Sequence, residues 1–278
     1  MNHSDGSFTG VRGQSIYYRY WTPESALRGV LLVVHGAGEH GERYAYFARR
    51  CCDAGLAVAA LDHAGHGRSD GDYGHMERFQ DHLDNLGTFH RQVAEAFPGQ
   101  PVVLVGHSMG GLISACYLLE HQAQFAACVL SGPAIRTELE PGFLQTTLIR
   151  LLASLAPRVG VLQLDAAGVS RDPAVVEAYR QDPLINHGKM SARFVSEMFN
   201  AMIRIQAEAA TIELPLLVMH GQGDAMTAPS GSQFLHDRVS SPDKTLKLYP
   251  GLYHEIFNEP ERDTVIDDLL AWLDERLV

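Results

Sequence analysis

Short apolar runs recur along the chain, separated by longer segments with helical spacing. Gly29-Val30-Leu31-Leu32-Val33-Val34 is apolar throughout and reads as a strand covered on both faces. Leu56–Leu61, Pro101–Val105, Phe125–Leu130, Pro215–Met219 and Lys244–Tyr249 read as further strands. Residues 8–12 and 14–21 form an opening pair around a turn at Arg12-Gly13, short enough that the pair must be antiparallel. Helical spacing covers 42–54, stopped by Gly55, then 77–97, stopped by Pro98-Gly99, then 109–121. A last helix covers 260–276, with Pro260 at its start. Strands alternating with helices predict an α/β fold, a mostly parallel eight-stranded sheet with helices on both faces. Residues 134–211 break the rhythm, with helical patterning and no clear strand. They read as a helical cap inserted after the sixth strand, over the carboxyl edge of a core made of 1–133 and 212–278.

Composition narrows the classes. The 278 residues carry 22 Lys plus Arg against 33 Asp plus Glu, a net charge of −11. With no basic run, this is a poor surface for nucleic-acid phosphates or for anionic lipid. The first residues show neither a basic nor an apolar signal region, and no stretch of about 18 apolar residues occurs. Cys51, Cys52, Cys116 and Cys128 lack metal-ribbon spacing and read as buried, reduced thiols. The expectation is a cytoplasmic protein, at most peripheral to a membrane. No dinucleotide or Walker sequence follows a strand, so no cofactor is expected.

The chemistry concentrates at Val102-Val103-Leu104-Val105-Gly106-His107-Ser108-Met109-Gly110-Gly111. Ser108 sits in a G-x-S-x-G pattern with an apolar strand before it and a helix after it, the setting of a nucleophile elbow. A sharp strand-to-helix turn strains the serine backbone and lifts its hydroxyl from the sheet. Glycines two residues away on each side leave room for that turn. A serine nucleophile needs a base, and the base needs an orienting carboxylate. On such a sheet the order is Ser, acid, His, each from a loop after a strand. Asp224 follows the strand ending at Met219, and His254 follows the one ending at Tyr249. The other histidines, His107, His121, His220 and His236 among them, read as structural or surface residues. An oxyanion hole calls for the N–H of Met109 and one from His35-Gly36-Ala37-Gly38-Glu39-His40, with Ala37 the expected donor. Asp62, His63 and His66 share a Gly-rich loop without a further carboxylate at ligand spacing, which favours a structural turn over a metal site.

These residues carry a resemblance. His35–His40 with Arg43-Tyr44, Asp62-His63-Ala64-Gly65-His66-Gly67-Arg68-Ser69, Gly106–Gly111, Ser170-Arg171-Asp172, Tyr179-Arg180-Gln181-Asp182-Pro183-Leu184 and Lys244–His254 resemble the monoacylglycerol lipases and the related lysophospholipases of the α/β hydrolases. The resemblance implies a serine hydrolase that releases a fatty acid from a glycerol ester, with Ser108, Asp224 and His254 as its triad and Ala37 and Met109 as oxyanion donors. It further implies that Glu39, Arg43 and Tyr179 help hold the glycerol end. Glu39 and Arg43 also fit a plain ion pair, and Tyr179 fits cap packing. A lysophospholipase or broad carboxylesterase uses the same chemistry on another leaving group. A proline-iminopeptidase-like enzyme, an acyltransferase and a non-catalytic binding protein are the more distant readings. In the cap, Leu144, Leu148, Leu151, Leu152 and Leu155 share one helical face that ends at Pro157. That stripe either packs on the core or lines an acyl tunnel through Leu148 and Leu152 and meets lipid transiently.

Overall fold

The computed structural model describes residues 1–137 and 143–277, with the side chains of 143–146 outside the description. The chain opens with β1 (Asn2–Thr9), β2 (Ser15–Thr22) and β3 (Gly29–Val34). It continues through α1 (Ala45–Asp53), β4 (Leu56–Leu61), α2 (Phe79–Ala96), β5 (Val102–His107), α3 (Met109–His121) and β6 (Ala127–Ser131). Then come α4 (Phe143–Leu155), β7 (Gly160–Leu162), α5 (Pro173–Gln181), β8 (Met190–Ser191) and α6 (Ala192–Glu208). The chain closes with β9 (Leu216–Gly221), α7 (Pro229–Arg238), β10 (Lys244–Tyr249) and α8 (Arg262–Asp274).

Eight strands form one sheet in the order β1-β2-β4-β3-β5-β6-β9-β10. β1–β2 and β2–β4 are antiparallel, and every other pairing in this sheet is parallel. The mostly parallel α/β architecture is therefore present. β3, β4, β5, β6 and β9 are buried at every position, because helices cover both faces. One apolar core gathers α2, α3 and α6 on one face, around residues such as Leu86, Leu112 and Ile205. The other gathers α1 and α8 around Phe47, Ile266 and Leu269.

Three details depart from the sequence reading. β1 starts at Asn2, ahead of the expected residue 8, because an outer strand exposed on most positions needs no apolar alternation and is held by its backbone ladder to β2. Between β6 and β9 a two-stranded antiparallel ladder, β7 with β8, joins the helices. Strands this short carry no readable period. The third departure concerns α4. Leu148, Leu151 and Leu155 are 55%, 53% and 75% exposed, Leu152 is half-buried, and the Leu144 side chain lies outside the described residues. The helix packs instead through Ala153, which is buried, and Ile149, which leans on the core.

Candidate active site

The parallel strands end at one edge, and the loops that carry the candidate catalytic side chains start there. Ser108 follows β5 with φ 53°, the one non-glycine residue of positive φ among the described residues. That strain is held in place by backbone bonds. Ser108 N donates to Ser131 O at 3.0 Å, and its carbonyl accepts from Leu112 N at 3.1 Å and Ala134 N at 3.0 Å. The neighbouring glycines are there because nothing larger fits. A Cβ on Gly106 would lie 2.4 Å from Ser114 Oγ, and one on Gly110 would lie 1.9 Å from the Val34 carbonyl. The second contact lets the start of α3 press against the end of β3, where the His35–His40 loop begins.

Asp224 and His254 reach the same edge from the loops after β9 and β10. These loops pack so closely that a Cβ at Gly221 would lie 2.3 Å from the carbonyls of Leu252 and Tyr253. His254 Nδ1 donates to Asp224 Oδ2 at 2.6 Å, and both side chains are buried. A neutral ring with its proton on Nδ1 keeps its lone pair on Nε2, the form a general base needs. Gly132, at the end of β6, has φ 49°, and a Cβ there would sit 3.3 Å from His254 Nδ1 and 3.5 Å from Asp224 Oδ2. The His107 ring lies 4.6 Å from that of His254, centre to centre. Burial alone would lower the His254 pKa, but the Asp224 carboxylate overrides it and holds the pKa above its ordinary value. Burial would likewise raise Asp224. Its side-chain bonds to His220 and His254, and the Thr227 N–H, instead keep it far below the usual carboxylate range. His107 is pushed down to about 3, chiefly by burial and then by His254, so it stays neutral.

Ser108, Ala37 and Met109 border one cavity of about 140 Å³. Its walls come from the segment between β6 and β9, through Leu162, Leu164, Met190, Phe194, Met198 and Met202, and from Met226 and Thr227. Leu162 is also 45% exposed, so the cavity reaches the surface at β7. Leu148 and Leu152 do not border this cavity; Leu148 faces outward and Leu152 is half-buried away from the cavity lining.

Glu39 and Arg43 also lie elsewhere than the resemblance implied. They border a separate small cleft with Tyr44, Phe47, Glu255 and Phe257. Glu39 Oε1 accepts from Gly36 N at 2.6 Å and from the Tyr44 hydroxyl at 2.9 Å, while Oε2 meets Arg43 at 3.3 Å. Arg43 grips Glu255 with both terminal nitrogens, at 2.5 and 2.7 Å. These side chains therefore brace the His35–His40 loop and the segment after His254 from behind. Burial, reinforced by Glu255, lifts the Glu39 carboxyl to about 7 against the pull of Arg43. Tyr179 is buried, with the Arg43 guanidinium 4.9 Å from its ring centre. A Cβ on Gly38 would lie 2.8 Å from the Tyr179 hydroxyl, so this residue of α5 abuts the loop that carries Ala37. His40 and Asp182, 2.9 Å apart, tie the segment after α5 to the same loop.

Asp62 is spent on structure. It pairs with buried Arg19 at 3.1 Å and accepts from the N–H groups of Gly41 and Arg68. His35, His63 and His66 are driven toward the neutral form first by burial. No cluster with the makings of a metal site occurs among the described residues. Two functional-site neighbours escaped the sequence reading. His220 is the last but one residue of its strand, within an apolar run, and Glu255 follows the candidate base, but neither position has a spacing that would single it out.

A family model described as "Serine aminopeptidase, S33" matches residues 25–261. A monoacylglycerol lipase of Mycolicibacterium smegmatis is 42% identical over 97% of this chain and 96% of its own. The chain belongs to the monoacylglycerol lipase family. It is accordingly a carboxylic ester hydrolase of the α/β-hydrolase fold. A human monoglyceride lipase is 32% identical over 95% of this chain and 88% of its own. The crystal structure of the Paleococcus ferrophilus monoacylglycerol lipase superposes with a TM-score of 0.83 at 29% identity, covering 99% of this chain and all of that one.

Proposed function

We propose that this chain hydrolyses monoacylglycerols to fatty acid and glycerol through an acyl-enzyme on Ser108. The observation that carries the reading is the strained Ser108 elbow, which borders an apolar cavity with Ala37, Met109 and Thr227, the last of these being the residue whose hydroxyl meets Asp224. In the first step His254 Nε2 takes the hydroxyl proton as Oγ attacks the ester carbonyl. The N–H groups of Ala37 and Met109 hold the oxyanion, and Asp224 stabilises the imidazolium. His254 returns the proton to the departing glycerol oxygen. Water, activated in the same way, then cleaves the acyl-enzyme.

The cap wall of Leu162, Leu164, Phe194 and Met198 takes the acyl chain, each buried methylene contributing about 0.8 kcal/mol. The Tyr179 hydroxyl beside Gly38 meets the glycerol end, while Glu39 and Arg43 serve that end indirectly by fixing the loop. The residues between β6 and β9 act as the cap domain, 134–211, over the core. The exposed leucines of α4, with Leu162 of β7, favour brief contact with a lipid surface. No described helix is long and apolar enough to cross a membrane, so that contact would be peripheral. We place the enzyme in the cytoplasm, on its free buried cysteines.

Purified protein tested on mono-, di- and triacylglycerols, lysophospholipids, p-nitrophenyl esters and aminoacyl amides decides the substrate class. Monoacylglycerols should turn over fastest, and Ser108→Ala should lose about 10⁴-fold or more in kcat together with fluorophosphonate labelling. Preference for lysophospholipid or amide, or labelling at another serine, refutes the proposal.

A further inference from the structure

His220 is the last but one residue of β9, wholly buried, and bonded at both ring nitrogens. Its Nε2 lies 3.0 Å from Asp224 Oδ2, the same oxygen that takes the proton of His254 at 2.6 Å. Its Nδ1 lies 2.6 Å from Ser232 Oγ, and Ser232 on α7 is itself fully buried. A carboxylate only accepts, so Nε2 must carry the proton. Nδ1 of the neutral ring is then a lone pair, and the Ser232 hydroxyl must donate to it. We propose that His220 is a positioning residue for the ester hydrolysis, holding the Asp224 carboxylate in line with His254, and that Ser232 locks it in the tautomer this requires.

Two orienters act together on Asp224. Oδ1 is pinned by the N–H groups of Met226 at 2.7 Å and Thr227 at 3.0 Å. Oδ2 is shared by the two imidazoles, and the Thr227 hydroxyl lies 2.8 Å from it. Without the His220 donor, the second oxygen rests on His254 and on a hydroxyl whose one proton is also within reach of the Gly132 carbonyl at 3.0 Å. The carboxylate would then be freer to rotate and would concentrate its charge on His254. His220 thus has two effects. It keeps the geometry that raises kcat, and by sharing the anion it moderates the basicity of His254. The groups facing His254 are Asp224, Glu255, Glu39 and His107, and those facing His220 are Asp224, Ser232 and Thr227. Removing the His220 donor leaves the others in place and raises the His254 pKa.

This proposal rests on the reading of Asp224 and His254 as the acid–base pair, and the experiment separates the two. Glutamine at 220 sets an amide N–H where Nε2 was and still reaches Asp224. Asparagine sets its amide where Nδ1 was and reaches only Ser232. His220→Gln should keep kcat within a few-fold and leave the acid limb of the pH profile unmoved. His220→Asn should lose about tenfold in kcat at unchanged KM, with the acid limb displaced to higher pH. In the unmodified enzyme, ¹⁵N imidazole shifts should show His220 protonated at Nε2 alone, a measurement that does not depend on any variant folding. Equal kcat and equal acid limbs in the two variants, or a proton found on Nδ1, overturns the proposal. Full activity in Asp224→Asn would instead overturn the acid–base pair itself.

Discussion

Replacing Arg43 by methionine removes the one guanidinium between two buried carboxylates. Its side chain is 10% exposed, those of Glu39 and Glu255 are 4% and 6%, and the Glu255 contact uses both terminal nitrogens. Methionine fills much of the space but leaves Glu255 and Glu39 facing each other without a counter-charge. Breaking a buried pair from one side costs about 3–5 kcal/mol, because the surviving charge stays desolvated. For a chain of this size each kcal/mol lowers Tm by about 2–4 °C, so the expected drop is about 6–20 °C. The loss also has a sign in pH. Burial and mutual repulsion place both carboxyl pKa values in the folded variant above those of the unfolded chain. The folded state then binds more protons, and stability falls as pH rises between the unfolded and folded values. The penalty should therefore be small near pH ~5 and large near pH ~8. Urea unfolding of wild type and Arg43→Met at both pH values measures it. Arg158→Met, which breaks an ion pair exposed by more than half on both sides, is the control and should stay within about 1 kcal/mol. A penalty under about 1 kcal/mol for Arg43→Met, or one equal at the two pH values, refutes the brace.

Three further outcomes follow from the same geometry. The acid limb of the activity profile should have its midpoint above pH ~6.5, since only neutral His254 accepts the Ser108 proton and Asp224 holds its pKa above the ordinary value; a midpoint below that contradicts the pairing. Met198→Trp narrows the cavity and should cut turnover of long-chain esters at least about tenfold more than that of short-chain ones, read as the ratio of kcat/KM values. Leu148→Glu with Leu155→Glu should leave Tm and short-chain ester turnover unchanged while slowing hydrolysis of monoacylglycerol presented in vesicles. A fall in Tm would show that these leucines are core.

Local sequence determined the order and kind of the main elements, because strands covered on both faces must be apolar at each position and helices must repeat near 3.6 residues. It also marked Ser108, since the elbow needs glycines at fixed steps within one strand-turn-helix unit, and the contacts at Gly106 and Gly110 show why. Asp224 and His254 were picked as candidates by their places after strands, which is topology written along the chain. What neighbours them across the sheet was not written there. His220 on Oδ2 of Asp224, and Glu255 in the grip of Arg43 from more than two hundred residues away, are meetings that only the packed loops decide. The same holds for Glu39 and Arg43, whose charges turn inward to the loop rather than into the cavity of Ser108. The leucine stripe of α4 shows the limit most simply. A helical period states that one face is apolar, but which face is covered depends on what stands opposite, and here Ile149 and Ala153 meet the core while Leu148, Leu151 and Leu155 face outward.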